Sequence, residues 1–237
     1  MRNHRRKHTP AGYFSRFELA LWLGSLAAIL LAYLLCRGGE WLYLFTSLLG
    51  ATALIFVSKG NVAGQVLTVL FSLLYGFISW TYRYYGEMIT YLGMTLPIAV
   101  ASVVAWLRHP WRGRRSEVQV NRLPAREYAV IAAAGLAVTL LFWFVLERLH
   151  TANLLLSTVS VFTSFAAVVL SMRRSPYYAL AYAANDVVLI ALWLLATRDN
   201  PSYAGMVICF AAFLVNDGYG FFNWRRMERR QRADRQA

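Results

Sequence analysis

Eight runs of apolar residues, each long enough to cross a bilayer, dominate this sequence: about 19–35, 41–57, 64–82, 87–107, 128–146, 154–171, 177–196 and 203–224. A span takes about 17–25 mostly apolar residues. Inside hydrocarbon each backbone N–H and C=O must find a partner, and for single runs of this length the α-helix provides it. The charges avoid the runs and gather at the termini and in one central loop. The chain is 59% hydrophobic and 15% charged, where soluble domains carry about 25% charge. The expected fold class is an all-α integral membrane protein with eight transmembrane helices. No small-residue cleavage site follows the first run, so it reads as a retained helix rather than a signal peptide.

A net charge of +13 suggests nucleic acid until its placement is considered. Eight spans put both termini on one side, and that side then holds 20 of the 24 Lys and Arg, leaving four in the outer loops. This is the positive-inside pattern and predicts a bacterial inner membrane protein with cytoplasmic termini. The basic runs Arg108–Arg115 and Arg225–Arg235 become topology signals with anionic lipid headgroups as natural contacts, and no nucleic-acid partner is expected. Cys36 and Cys209 have no Cys or His neighbour at metal-ligand spacing and read as small apolar fillers. His4, His8, His109 and His150 lie outside the runs and form no triad or metal cluster. With no phosphate-binding Gly loop either, the expectation is no enzyme, metal or cofactor.

A weak internal repeat organises the spans. At an offset of 113, Phe56-Val57-Ser58 meets Val169-Leu170-Ser171, Leu67 meets Leu180 and Trp80 meets Trp193. At 118, Gly86–Met88 meets Ala204–Met206 and Trp106 meets Trp224, the extra residues falling in the loop Thr197–Ser202. Spans two to four and six to eight are the triplets, and span five between them restores a parallel orientation. Such repeats hold substrate near the midplane at their interface. The expected division is a basic N-terminus with a peripheral helix at 1–40, a core at 41–225 and a basic tail at 226–237. Within the core, 41–107 and 154–225 are the repeats and 108–153 is a basic cytoplasmic loop with the linking helix. Pro97 should kink the fourth span, while Pro176 is a first-turn proline of the seventh.

Two Asn-Asp pairs, Asn185-Asp186 and Asn216-Asp217, hold the carboxylates found in the middle of spans. An ionisable group there costs several kcal/mol and is kept mostly where it faces a cavity or a pathway. Asp186 lies roughly 15 Å past Pro176 and Asp217 roughly 12 Å before Arg225, at 1.5 Å per residue, so the two sit at similar depth on antiparallel helices. Tyr182 shares a face with Asn185 and Asp186, and Phe213 with Asn216 and Asp217. The rival reading is structural glue between helices. Lys59 and Arg83 fall at helix ends, so the expected pocket has no deep cation. A positively charged substrate over aromatic faces suits it and a phosphorylated one does not. Ser157, Ser160 and Ser164, with Thr163 beside them, and Gln65, Thr68 and Ser72 form two polar rows suited either to sugar hydroxyls or to close helix packing. Trp41, Trp80 and Trp193 at one set of span ends and Trp22, Trp106 and Trp224 at the other read as aromatic belts; Trp143 fits neither set.

Three stretches resemble the PnuC family of vitamin transporters: Tyr85-Gly86-Glu87-Met88-Ile89, the run from Arg174-Ser175-Pro176 through Tyr182 to Asn185-Asp186, and Phe213-Leu214-Val215-Asn216-Asp217 continuing to Gly220-Phe221-Phe222-Asn223-Trp224. The resemblance covers about residues 40–225. It implies a 3+1+3 core like that of SWEET sugar transporters and uptake of nicotinamide riboside by facilitated diffusion, with a cytoplasmic kinase trapping the substrate. A homo-oligomer is compatible with it. Better-known members carry a tryptophan-rich patch where this chain has Tyr178, Ala179, Leu180 and Tyr182, so ring stacking falls to Tyr182 or another aromatic. The expected substrate site comprises Tyr182, Asn185, Asp186, Phe213, Asn216, Asp217, Ser160, Thr163 and Gln65. The alternative function is a proton-coupled or passive carrier of another small vitamin such as thiamine, or of a sugar or nucleoside.

Overall fold

The computed structural model describes residues 10–36, 41–81, 85–151, 153–199 and 201–236. Arg83, His4 and His8 lie outside them. Eight helices are long and apolar enough to cross a membrane. They are α1 (Arg16–Leu35), α2 (Trp41–Ser58), α3 (Val62–Thr81), α4 (Gly86–Arg108), α5 (Ala125–Arg148), α6 (Leu154–Met172), α7 (Tyr178–Asp199) and α8 (Ala204–Gln236). A two-stranded hairpin, β1 (Pro110–Trp111) and β2 (Arg114–Val118), joins α4 to α5.

The helices end where the sequence supplies breakers. Between α2 and α3, Gly60 sits at φ +67°, and an added Cβ would meet Met227 Cε at 3.0 Å and Val118 Cγ1 at 3.3 Å. Only glycine takes that turn under such crowding without strain. Asn61 then caps α3, its Oδ1 accepting from Ala63 N–H at 2.9 Å. Arg112 and Gly113, both at positive φ, make the two-residue turn of the hairpin, as a type I′ turn requires.

Pro97 produces a different feature from a simple kink. Its ring would press on the carbonyl of Gly93, four residues back. Residues Thr90–Thr95 answer by widening into a π-helical stretch before α-helix resumes at Leu96. Such stretches are frequent at functional sites, and this one turns Tyr91 and Thr95 inward.

Helix α7 packs between α6 and α8, α8 also contacts α1 and α2, and α3 packs on α2 and α4. The buried side chains gather in two main clusters, one around Trp106, Tyr178 and Trp224 near the hairpin, the other around Tyr75, Tyr91, Phe210 and Phe213. Trp106 and Trp224, equivalent in the repeat alignment, meet with ring centroids 5.4 Å apart. The Trp106 indole N–H donates to Ser171 O and that of Trp224 to Val57 O, both at 2.9 Å. These two are fully buried, so they are not belt residues, and Trp193 is buried as well. Trp41 and Trp80 are exposed, as belt residues must be.

Two other features add to the sequence reading. The expected tail at 226–237 is helical to Gln236, because no Gly or Pro follows Gly220 and Arg225 pairs with Glu228 one turn on. The hairpin docks on this extension: Val120 N–H donates to Gln231 Oε1 at 2.9 Å, and Gln231 Nε2 donates to Glu117 and to Val118 O. The first helix is also fastened to the core. Glu18, buried in the first turn of α1, accepts from Lys59 Nζ and from the Tyr219 hydroxyl, each at 2.7 Å. Its carboxylate also closes a capping box with Ser15.

Candidate functional site

A pocket opens between the two clusters, walled by α2, α3, α4, α6, α7 and α8. Its polar side is built on α7. Tyr182, Asn185 and Asp186 fall at i, i+3 and i+4 and all line the pocket. Asn185 Oδ1 accepts from Thr163 at 2.8 Å and from Ser164 at 2.9 Å, both on α6. Those bonds consume the amide oxygen, so the NH2 end is what Asn185 can offer a ligand.

From α8 comes Asp217, which lines the same pocket as Asp186. Both residues are buried, at 4% and 3% exposure. No donor among the described residues reaches Asp186 Oδ2. A buried oxygen left unpaired costs about 1–3 kcal/mol, so this atom is poised to accept from something that enters the pocket. No Lys, Arg or His stands among the lining residues.

The rest of the lining is largely aromatic: Phe71, Tyr91, Phe210 and Phe213 join Tyr182 around the pocket. Phe71 touches Tyr91 and Phe213 edge to face at 6.0 and 6.1 Å, and Phe213 meets Phe210 at 5.7 Å. These rings come this close to α2 because residue 50 is glycine. A Cβ there would stand 2.6 Å from Phe213 Cζ and 2.9 Å from Phe71 Cε2.

From α3, Gln65, Thr68 and Ser72 face the pocket. Gln65 Nε2 donates to Ser171 Oγ at 3.0 Å. The hydroxyls of Thr68 and Ser72 donate to carbonyls of their own helix, leaving oxygen lone pairs for a ligand.

Of the nine residues expected from the sequence, Tyr182, Asn185, Asp186, Phe213, Asp217 and Gln65 come together here. Thr163 stands one shell back, reaching the pocket through Asn185. Ser160 does not line it, and its hydroxyl donates to Ser157 O on its own helix. Asn216 points the other way, its Nδ2 donating to Ser25 Oγ of α1 at 2.8 Å. The sequence reading missed Tyr91, Thr95, Phe71 and Phe210. Pro97 was the signal for the first two, since the widened turn before it is what aims them inward.

The family model described as nicotinamide mononucleotide transporter matches residues 40–226. A protein of Neisseria mucosa named nicotinamide riboside transporter PnuC is 25% identical over 223 residues, covering 92% of this chain and 84% of its own length. One of the same name from Haemophilus influenzae is 23% identical over 192 residues, covering 81% and 82%. A crystal structure of the vitamin B3 transporter PnuC superposes with a TM-score of 0.80 at 24% identity, covering 93% of this chain and 95% of that one.

Proposed function

The chain belongs to the nicotinamide mononucleotide transporter family, and from that premise we propose that it carries nicotinamide riboside across the membrane by facilitated diffusion. One observation carries the choice of riboside over mononucleotide. The pocket has two carboxyl side chains, five aromatic rings and no cationic side chain among its lining residues. The riboside brings a pyridinium cation and ribose hydroxyls. The mononucleotide adds a phosphate dianion that this pocket cannot neutralise. The relatives from Neisseria and Haemophilus are likewise named for the riboside.

In this reading the pyridinium stacks on Tyr182 within the cage of Phe71, Tyr91, Phe210 and Phe213, where ring faces attract a cation. Asp186 and Asp217 balance its charge, and Asp186 Oδ2 accepts from a ribose hydroxyl. Asn185, Gln65, Thr68, Ser72 and Ser164 complete the hydrogen bonds. The excess of Lys and Arg at the hairpin end and the termini supports a reading in which both face the cytoplasm of a bacterial inner membrane protein. A cytoplasmic kinase then traps the delivered substrate by phosphorylation, since the product no longer fits the pocket.

Titrating the purified protein with nicotinamide riboside, its mononucleotide and thiamine tests the reading. The riboside should bind at least tenfold more tightly than the mononucleotide, a difference of about 1.4 kcal/mol. Equal affinities would sink the charge argument, and preference for thiamine would change the vitamin. Uptake into proteoliposomes should persist with a protonophore present; its collapse would replace passive carriage with proton coupling.

A further inference from the structure

The apolar part of α8 ends at Trp224, but the helix runs on to Gln236. Its 33 residues span about 50 Å at 1.5 Å per residue, while the hydrocarbon core is about 30 Å thick. The extension thus passes through the headgroup layer. It is held rigidly by the hairpin, through Gln231, through the Arg230–Glu117 pair and through Arg112–Asp234 at 3.2 Å.

The other side of the extension is left cationic. Glu228 is taken by Arg225, Glu117 by Arg230 and Asp234 by Arg112. Arg226 and Arg229 are exposed and form no ion pair among the described residues. They follow Phe222 at i+4 and i+7, so the three share one helical face. Phe222 is 73% exposed. A groove runs here, lined by Tyr219, Phe222, Asn223, Arg225, Arg226 and Arg229. Tyr219 is fixed by its bond to Glu18, and Phe17 of α1, also exposed, packs against its ring at 5.4 Å.

We propose that this groove is a binding site for an anionic phospholipid, with the headgroup phosphate on Arg226 and Arg229 and the acyl chains over Phe222 and Phe17. Guanidinium groups pair with phosphate oxygens in bidentate fashion. Exposed rings one turn below the cations match the depth at which headgroup gives way to chain. A free phosphate has no use for those rings, and a second copy of this chain would bring the same uncompensated arginines. The site is independent of which substrate the pocket carries.

Native mass spectrometry and thermal unfolding of the full-length protein in detergent test it, with phosphatidylglycerol, phosphatidylcholine and glycerol 3-phosphate as probes. Wild type should retain phosphatidylglycerol at tenfold or more lower concentration than phosphatidylcholine and gain several degrees in Tm from it. Arg226→Gln with Arg229→Gln should lose at least fivefold of that retention while keeping its Tm in phosphatidylcholine. Arg114→Gln with Arg115→Gln, on the hairpin outside the groove, should keep it. Equal retention of the two lipids by wild type overturns the proposal, as does an equal loss in the hairpin variant, which would mean diffuse charge. Saturable binding of glycerol 3-phosphate without lipid preference would make the groove a free-phosphate site and also overturn it.

Discussion

Asp186→Asn separates a substrate-facing carboxyl from one that only ties helices together. The amide keeps the size and shape of the side chain and removes the anion. If Asp186 balances the substrate's positive charge, the loss is that of a charge-assisted contact, about 1.5–3 kcal/mol. Affinity should therefore fall roughly ten- to a hundredfold. Stability should move the other way. In the wild type no donor among the described residues reaches Asp186 Oδ2, and Asp217 lines the same pocket. The variant's NH2 places donors beside Asp217, so Tm should hold or rise. Asp217→Asn should weaken binding similarly. Because the two carboxyls share one pocket, the double variant should lose less than the sum of the singles, with an interaction of about 0.5–3 kcal/mol. The assay is a riboside titration by calorimetry and a thermal melt on the same purified samples. Unchanged affinity with an altered Tm in Asp186→Asn would refute the reasoning and return this residue to structural glue. Strict additivity of the two variants would refute the shared site.

Lys59→Met removes the counter-ion of buried Glu18, whose side chain is 5% exposed. Tyr219 and Ser15 still donate to it, so the expected loss is about 2–3 kcal/mol, below the full range for an orphaned buried charge; adding Glu18→Gln should restore most of it, as read by thermal unfolding in detergent. Gly50→Ala drives a methyl into Phe213 and Phe71, costing about 1–3 kcal/mol of overpacking, and riboside affinity should drop with it; a variant that binds normally would show that the rings yield without consequence. Reporter fusions at Ala237 and near Gly113 should both read cytoplasmic, and either one reporting from outside would reverse the orientation.

The spans were legible because an apolar run in lipid has one backbone solution, so length alone located the first seven helices, and the start of the eighth, to within a few residues. The charged segments were not, because the same rule says nothing once the chain leaves the hydrocarbon. Arg108–Arg115 and Arg225–Arg235 read as topology signals contacting lipid headgroups, and Glu117, Gln231 and Asp234 also knit them into a hairpin docked on a continuing helix. Composition counts charges; only packing shows which are paired. Trp106 and Trp224 misled in the same way. An indole near a span end suits the interface, and it suits equally well a buried site that offers its N–H a carbonyl, as Ser171 O and Val57 O do.

The two Asn-Asp pairs show where sequence reasoning about a site stops. They look alike, and neighbouring residues on an α-helix project about 100° apart, at 3.6 residues per turn. No pair can aim both side chains at one point. On α7 the divergence is harmless, because that helix lies between α6 and α8. Asn185 meets Thr163 and Ser164 of α6, Asp186 shares the pocket with Asp217 of α8, and both stay on the pocket wall. On α8 the same 100° separates the pocket from α1, so Asp217 faces the cavity while Asn216 bonds Ser25. Tyr219, two residues beyond Asp217, is likewise turned to α1 and bonded to Glu18. The helix read as peripheral therefore grips α8 on both sides of the acid, and the rotation of α8 that presents Asp217 is set from outside the pocket. Which of two identical dipeptides faces a cavity depends on what packs behind it, and that lies in contacts nearly two hundred residues apart in sequence.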